Sequence, residues 1–154
     1  MKYFTCLILF SLVLSSMSTS YKSCDEPIKS EIESVTLSSC PTPENTCPLV
    51  KNTIETTTIR FKSLVDSSSV TAVLHGSRMV NREVVGSEEN IPLDHPDACK
   101  SGLSCPIWKG QEYTYMNSEN ATIPDYDYLS KFMLKDDRGE NIVCFIIPVE
   151  YVKQ

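Results

Sequence analysis

Apolar and β-branched residues recur along this chain in short runs set between turn-forming residues, and spacing of three and four, the mark of helices, is almost absent. The first run, Ile28 to Leu37, switches parity near Ser34, which predicts a strand with a bulge there. Thr53 to Val65 is β-branched throughout and places Thr57, Ile59 and Phe61 on one face. Val70 to His75 and Met79 to Val85 flank Gly76 and read as two neighbouring strands. Glu112 to Asn117 carries Tyr113 and Tyr115 on one face. Tyr126 to Lys135 and Ile142 to Val152 form a hairpin around Asp136-Asp137-Arg138-Gly139, where Gly139 is free to take a positive φ. The pattern predicts an all-β sandwich, about seven antiparallel strands in two sheets. Neither a repeat nor a shift of composition divides it, so one domain is expected.

Residues 1–20 follow a different rule. Lys2 precedes an apolar stretch from Tyr3 to Leu14, and Ser15 to Ser20 is a run of small residues broken by Met17. This is the three-part pattern of a secretory signal peptide, with cleavage expected after Ser18 or Ser20. The apolar stretch falls short of the roughly 20 residues that span a bilayer. Taking residues 1–20 as the leader leaves a domain of residues 21–154 with six cysteines and a formal charge of −7. That acidity argues against a nucleic-acid partner, which asks for basic patches.

An extracellular chain with six cysteines is read as a disulfide framework, although the number alone admits 15 pairings. Spacing narrows the choice. Cys40 and Cys47 bracket a short Pro-containing loop, Cys99 and Cys105 bracket one containing Gly102, and Cys24 and Cys144 remain for each other. These intervals, with no pair of histidines beside them, do not match a zinc module, so no metal is expected.

Groups suited to catalysis are sparse. His75 lies in a strand beside Gly76 with no nucleophile motif around it. His95 sits between Asp94 and Asp97 in a segment whose Asp and Pro residues read as turn builders. There is no Gly-x-Ser-x-Gly elbow, and the adjacent carboxylate pairs Glu88-Glu89 and Asp136-Asp137 read as solvated. The chain is therefore expected to be neither an enzyme nor dependent on a cofactor. Two loops stand out: residues 86–98, long and acidic, and residues 118–125, where Asn120-Ala121-Thr122 is an N-glycosylation sequon.

The cysteine order and its neighbours resemble the ML lipid-recognition family, and within it the sterol carriers. The most specific stretch is Asp97 to Asn117, with its Asp-x-Cys, Cys-Pro-Ile and Tyr-x-Tyr pattern in register. Ser39–Leu49, Ala72–Gly76 and Leu134–Val152 match as well, so the likeness runs from Cys24 to about Val152. It implies an immunoglobulin-like β-sandwich with an apolar cavity between its sheets, and the disulfides Cys24–Cys144, Cys40–Cys47 and Cys99–Cys105. It implies a sterol or other small lipid as cargo, held by Leu49, Phe61, Tyr113, Ile123 and Phe132 with Ile91 at the mouth. It also implies a monomer in the extracellular space or the endosome–lysosome lumen, docking transiently on a membrane or membrane receptor. This chain departs from the sterol carriers at Val84–Pro96, which is longer, acidic and without Phe where they are rich in Pro and Phe. It also has Phe132 where they carry Trp. Such departures keep another hydrophobic cargo in play, a fatty acid, phospholipid, glycolipid or semiochemical, as well as a role in lipid recognition for innate immunity.

Overall fold

The computed structural model describes residues 18–42, 45–121 and 124–153. In chain order its elements are β1 (Lys22–Ser23), β2 (Ser30–Leu37), β3 (Cys47–Val50), β4 (Ile54–Ser63), β5 (Thr71–Val80), β6 (Glu83–Val84), β7 (Glu89–Ile91), α1 (Ala98–Ser101), β8 (Glu112–Asn120), β9 (Tyr128–Lys135) and β10 (Asn141–Val152). The smaller sheet has the order β2-β4-β8, antiparallel throughout. The larger has the order β1-β10-β9-β5-β6, with β3 on the edge of β10 and β7 beside β5. Inward-facing residues of both sheets, among them Val35, Ile59, Tyr115, Leu134 and Val143, form the core between them.

The register of β2 shifts between Ile32 and Ser34, at the parity switch. The pattern misread Gly76. Instead of separating two strands, it lies inside one, β5, which turns afterwards at Asn81 and Arg82, both at positive φ, into β6. Close packing of two side chains is what favours glycine here. A Cβ at Gly76 would stand 2.7 Å from Ile91 Cδ1 and 3.1 Å from Tyr128 Cδ2. Gly76→Ala is expected to cost about 1–3 kcal/mol by overpacking, read as a lower melting temperature. Four short elements also went unforeseen, the two-residue β1 among them. β3 runs parallel to β10, β7 falls inside the long acidic loop, and α1 is capped by Asp97, whose side chain accepts from Cys99 N–H. β8 extends to Asn120, three residues beyond the expected strand.

The three disulfides are those expected: Cys24–Cys144, Cys40–Cys47 and Cys99–Cys105. In the β9–β10 turn Gly139 has φ +80°, and the buried Asp136 carboxylate organises the loop. It accepts from the backbone N–H groups of Arg138 and Glu140, both at 2.9 Å, and from the Arg138 guanidinium. Burial alone would push the Asp136 carboxyl up, but these donors outweigh it and hold it below the ordinary value. A depressed folded-state pKa adds stability above the unfolded-state value of about 4, and that stability is lost as pH falls through the folded-state value. Asp136→Ala should therefore cost roughly 2 kcal/mol at pH 7. Melting curves of both proteins should converge in strong acid, below the folded-state pKa.

Two hydrogen bonds tie the sheets together where β2 and β10 begin. There Lys29 N–H donates to Asn141 C=O (2.8 Å) and Ser30 Oγ to Ile142 C=O (2.7 Å). At the opposite end the Cys40–Cys47 disulfide staples the crossing from β2 to β3 on one side.

Candidate functional site

Strand alternation sends every second residue inward, and toward the end away from the starts of β2 and β10 these side chains surround a cavity rather than meeting. Its larger-sheet wall is Leu74, Ile91, Tyr128, Ser130, Phe132, Phe145, Ile147 and Val149, with Leu49 from β3. The facing wall is Leu37, Glu55, Thr57, Tyr115, Asn117 and Glu119. Pro92, Leu93, Asn120 and Ala121 complete the lining from the two loops. The Phe132 ring stacks on Phe145 (centroids 5.4 Å) and lies 5.9 Å from Tyr115, forming the aromatic floor.

The free space enclosed is about 90 Å³. Pockets for drug-sized ligands run to about 300–1,000 Å³. A sterol-sized guest thus fits only if the walls part. The side between Leu93 and Ala121 is suited to this, because a carboxylate latch and side-chain packing bridge it. The latch is Glu119, which accepts from the N–H groups of Asp94 (2.9 Å) and His95 (3.1 Å) and from Asn117 Nδ2 (2.6 Å).

Of the residues expected to line a cavity, Leu49, Ile91 and Phe132 come together here. Phe61 and Tyr113 do not. They pair with each other (centroids 5.9 Å) on the same inward face, but four residues past Thr57 and Asn117 toward the closed end. They lie two residues, about 7 Å along the strands, beyond the level of Tyr115, the lining residue nearest them, and Phe61 is wholly buried. Ile123 lies outside the described residues. Ile91 was expected at the rim, yet it is buried, paired with Leu74 and packed over Gly76. The exposed rim position falls instead to Pro92 and half-buried Leu93. Leu93→Asp should cost about 1 kcal/mol of stability. Because a charge at the mouth must be desolvated as cargo passes, the same change should slow guest uptake several-fold in stopped-flow measurements.

Tyr128, Ser130, Phe145, Ile147 and Val149 were not singled out from the sequence, although alternation within the strands containing them carried the signal. Burial pushes the Tyr115 and Tyr128 phenols above their ordinary value, and for Tyr128 the charge of Glu55 acts in the same direction. Both therefore stay protonated near neutral pH. Among the described residues no Lys, Arg or His lines the cavity.

The other polar groups are engaged elsewhere. His75 Nδ1 bonds Glu88, and Lys131 bonds Glu26. Asp97 caps α1 and pairs with Lys100 at 2.9 Å, so it builds a turn. Cys24, Cys144 and Glu26 lie close together, but the two sulfurs are bonded to each other and offer no thiolate. Asn120 ends β8, exposed at the cavity edge, while Thr122 of its sequon lies outside the described residues.

Comparison with known proteins places these observations. The model of a family described as the ML domain matches residues 18–151. The chain is 32% identical over 148 residues to the mouse NPC intracellular cholesterol transporter 2, covering 94% of this chain and 93% of that protein. It is 34% identical over 119 residues to the Drosophila melanogaster NPC intracellular cholesterol transporter 2 homolog a, covering 75% and 76%. The crystal structure of a Niemann-Pick type C2 protein from the Japanese carpenter ant shares the fold, with a TM-score of 0.73 at 21% identity. That match covers 86% of this chain and 99% of the ant protein.

Proposed function

The chain belongs to the ML domain family, and from that membership we propose that it is a non-catalytic carrier that holds one sterol between its sheets and passes it to a membrane or receptor. The observation that carries this reading is the aromatic-floored cavity between the sheets, in a chain aligned almost end to end with a named cholesterol transporter. Burying roughly 400 Å² of apolar sterol surface at about 25–50 cal/mol per Å² contributes on the order of 10–20 kcal/mol. Association costs of about 4–15 kcal/mol oppose it. The difference accommodates micromolar binding, tight enough to solubilise a lipid and loose enough to release it.

Among the described residues no helix is long and apolar enough to cross a membrane, which suits a carrier that docks only transiently. We place it in the secreted or endosome–lysosome lumenal space, acting as a monomer. The signal peptide is cut after Ser18 in this account, because Thr19 is built into the fold. It is buried, its N–H donates to Val35 C=O, and its hydroxyl donates to Cys40 C=O (2.6 Å) while accepting from Leu37 N–H (2.9 Å). N-terminal sequencing of the secreted protein should begin at Thr19; a start at Tyr21 would contradict this. Asn120 is the glycan acceptor, beside the mouth. Extracting lipid from the secreted protein and weighing it by mass spectrometry tests the cargo. A sterol near one per chain is expected, and a fatty acid or phospholipid in its place would overturn the sterol assignment.

A further inference from the structure

The cavity lining is not uniformly apolar. Its polar groups are hydroxyls, two amides and two carboxylates, with no cation among the described residues. Tyr128 is the least expected member. Its residue is 1% exposed, and its inward position lines the cavity. Glu55 lines the same cavity from the opposite sheet, and its charge adds to the burial that raises the Tyr128 phenol. Ser130, the next inward residue on β9, adds a second hydroxyl to the same wall.

Facing them, Glu55 accepts from Ser38 Oγ (3.0 Å) and Ser39 N–H (3.2 Å), and Glu119 is fixed by its three donors. Both carboxylates are thus held in place at the rim. A guest inserted apolar end first, toward Phe132 and Phe145, leaves its head at the level of these groups. A hydroxyl head finds a donor in Tyr128 and acceptors in the carboxylates. An anionic head finds two like charges and no counter-charge.

We propose that this polar rim selects lipids with an uncharged hydroxyl head and rejects their anionic counterparts, with Tyr128 as the hydrogen-bond partner of the head and Glu55 and Glu119 as the excluding charges. The inference rests on the carrier reading and narrows it, setting the fatty-acid alternative aside on electrostatic grounds.

Displacement of a bound fluorescent sterol by cholesterol, cholesteryl sulfate and cholestane tests it, since the three share a ring system and differ at the head. At pH 7 and low salt cholesterol should bind at least about tenfold more tightly than the sulfate, because like charges brought together at the rim repel. Glu55→Gln combined with Glu119→Gln should narrow that gap, raising the affinity for the sulfate by a larger factor than it changes the affinity for cholesterol. Tyr128→Phe should weaken cholesterol about three- to tenfold, the value of one hydrogen bond, and leave cholestane unchanged. Equal affinity for cholesterol and its sulfate overturns the selectivity while the carrier reading stands. A Tyr128→Phe effect of equal size on cholesterol and cholestane overturns the role of the phenol. Failure of all three to displace the probe, or of the probe to bind, overturns the carrier reading itself.

Discussion

Replacing Cys24 and Cys144 together by serine lowers the unfolding free energy by about 5 kcal/mol, the largest stability loss expected of any single cross-link in the chain. The bridge closes a sequence separation of 120 residues, against 7 for Cys40–Cys47 and 6 for Cys99–Cys105. In the chain-entropy account the short loops contribute roughly 2–2.5 kcal/mol each, because closure entropy grows only with the logarithm of loop length. Total stabilities of domains are about 5–15 kcal/mol, so loss of the long bridge should leave the fold marginal. The loss should also reach the cavity. The bridge holds the N-terminal segment against β10, where the Tyr21 ring meets Phe145 edge-on at 5.8 Å, and Phe145 is part of the cavity wall. Urea titration of the three double-serine variants checks the ranking. Equal losses for all three would show that local geometry, rather than chain entropy, sets the value of these bridges.

Phe132→Ala should reduce sterol affinity about ten- to hundredfold, the equivalent of 1.5–3 kcal/mol for one aromatic contact. Removing an aromatic packed on every side costs about 3–5 kcal/mol of stability. Phe132 has one face on Phe145 and lies tilted against Tyr115, but it also borders empty space, so the stability loss should be smaller than that range. The pairing of a large binding effect with a modest stability effect distinguishes a cavity floor from ordinary core. Phe61→Ala provides the contrast, since Phe61 is wholly buried at the closed end. It should give the full stability loss with little selective effect on binding. The reverse assignment of the two phenotypes would place the guest elsewhere.

Much of the sandwich was legible because alternation is a strong signal in long strands. β2, with its bulge, and β4, β9 and β10 were all read from the periodicity of Ile28–Leu37, Thr53–Val65, Tyr126–Lys135 and Ile142–Val152. Strands of two to four residues carry too few alternations to be seen, which is why β3 and β7 were missed. β3 also contains Pro48, a residue that ordinarily marks a turn, tolerated here because β3 lies at the edge of β10. Gly76 was read as a break for the same reason: glycine signals chain reversal locally, whereas its cause here is a distant side chain, Ile91.

The site was less legible than the fold. Alternation tells which face of a strand a residue occupies, but not how far along the strand the sheets cease to touch. Phe61 and Thr57 share a face, and only the tertiary arrangement makes one core and the other cavity wall. Leu93 was hidden in an acidic loop whose short strand, by taking Ile91 into the sheet, moves the rim two residues onward.

The central claim is that the space between the sheets holds one sterol, and equilibrium titration with a fluorescent sterol tests it most directly. Saturable binding at one sterol per chain, in the micromolar range or tighter, and weakened by Phe132→Ala in a protein that still melts cooperatively, is the result predicted. No saturable binding, or binding that Phe132→Ala leaves unchanged, would contradict it.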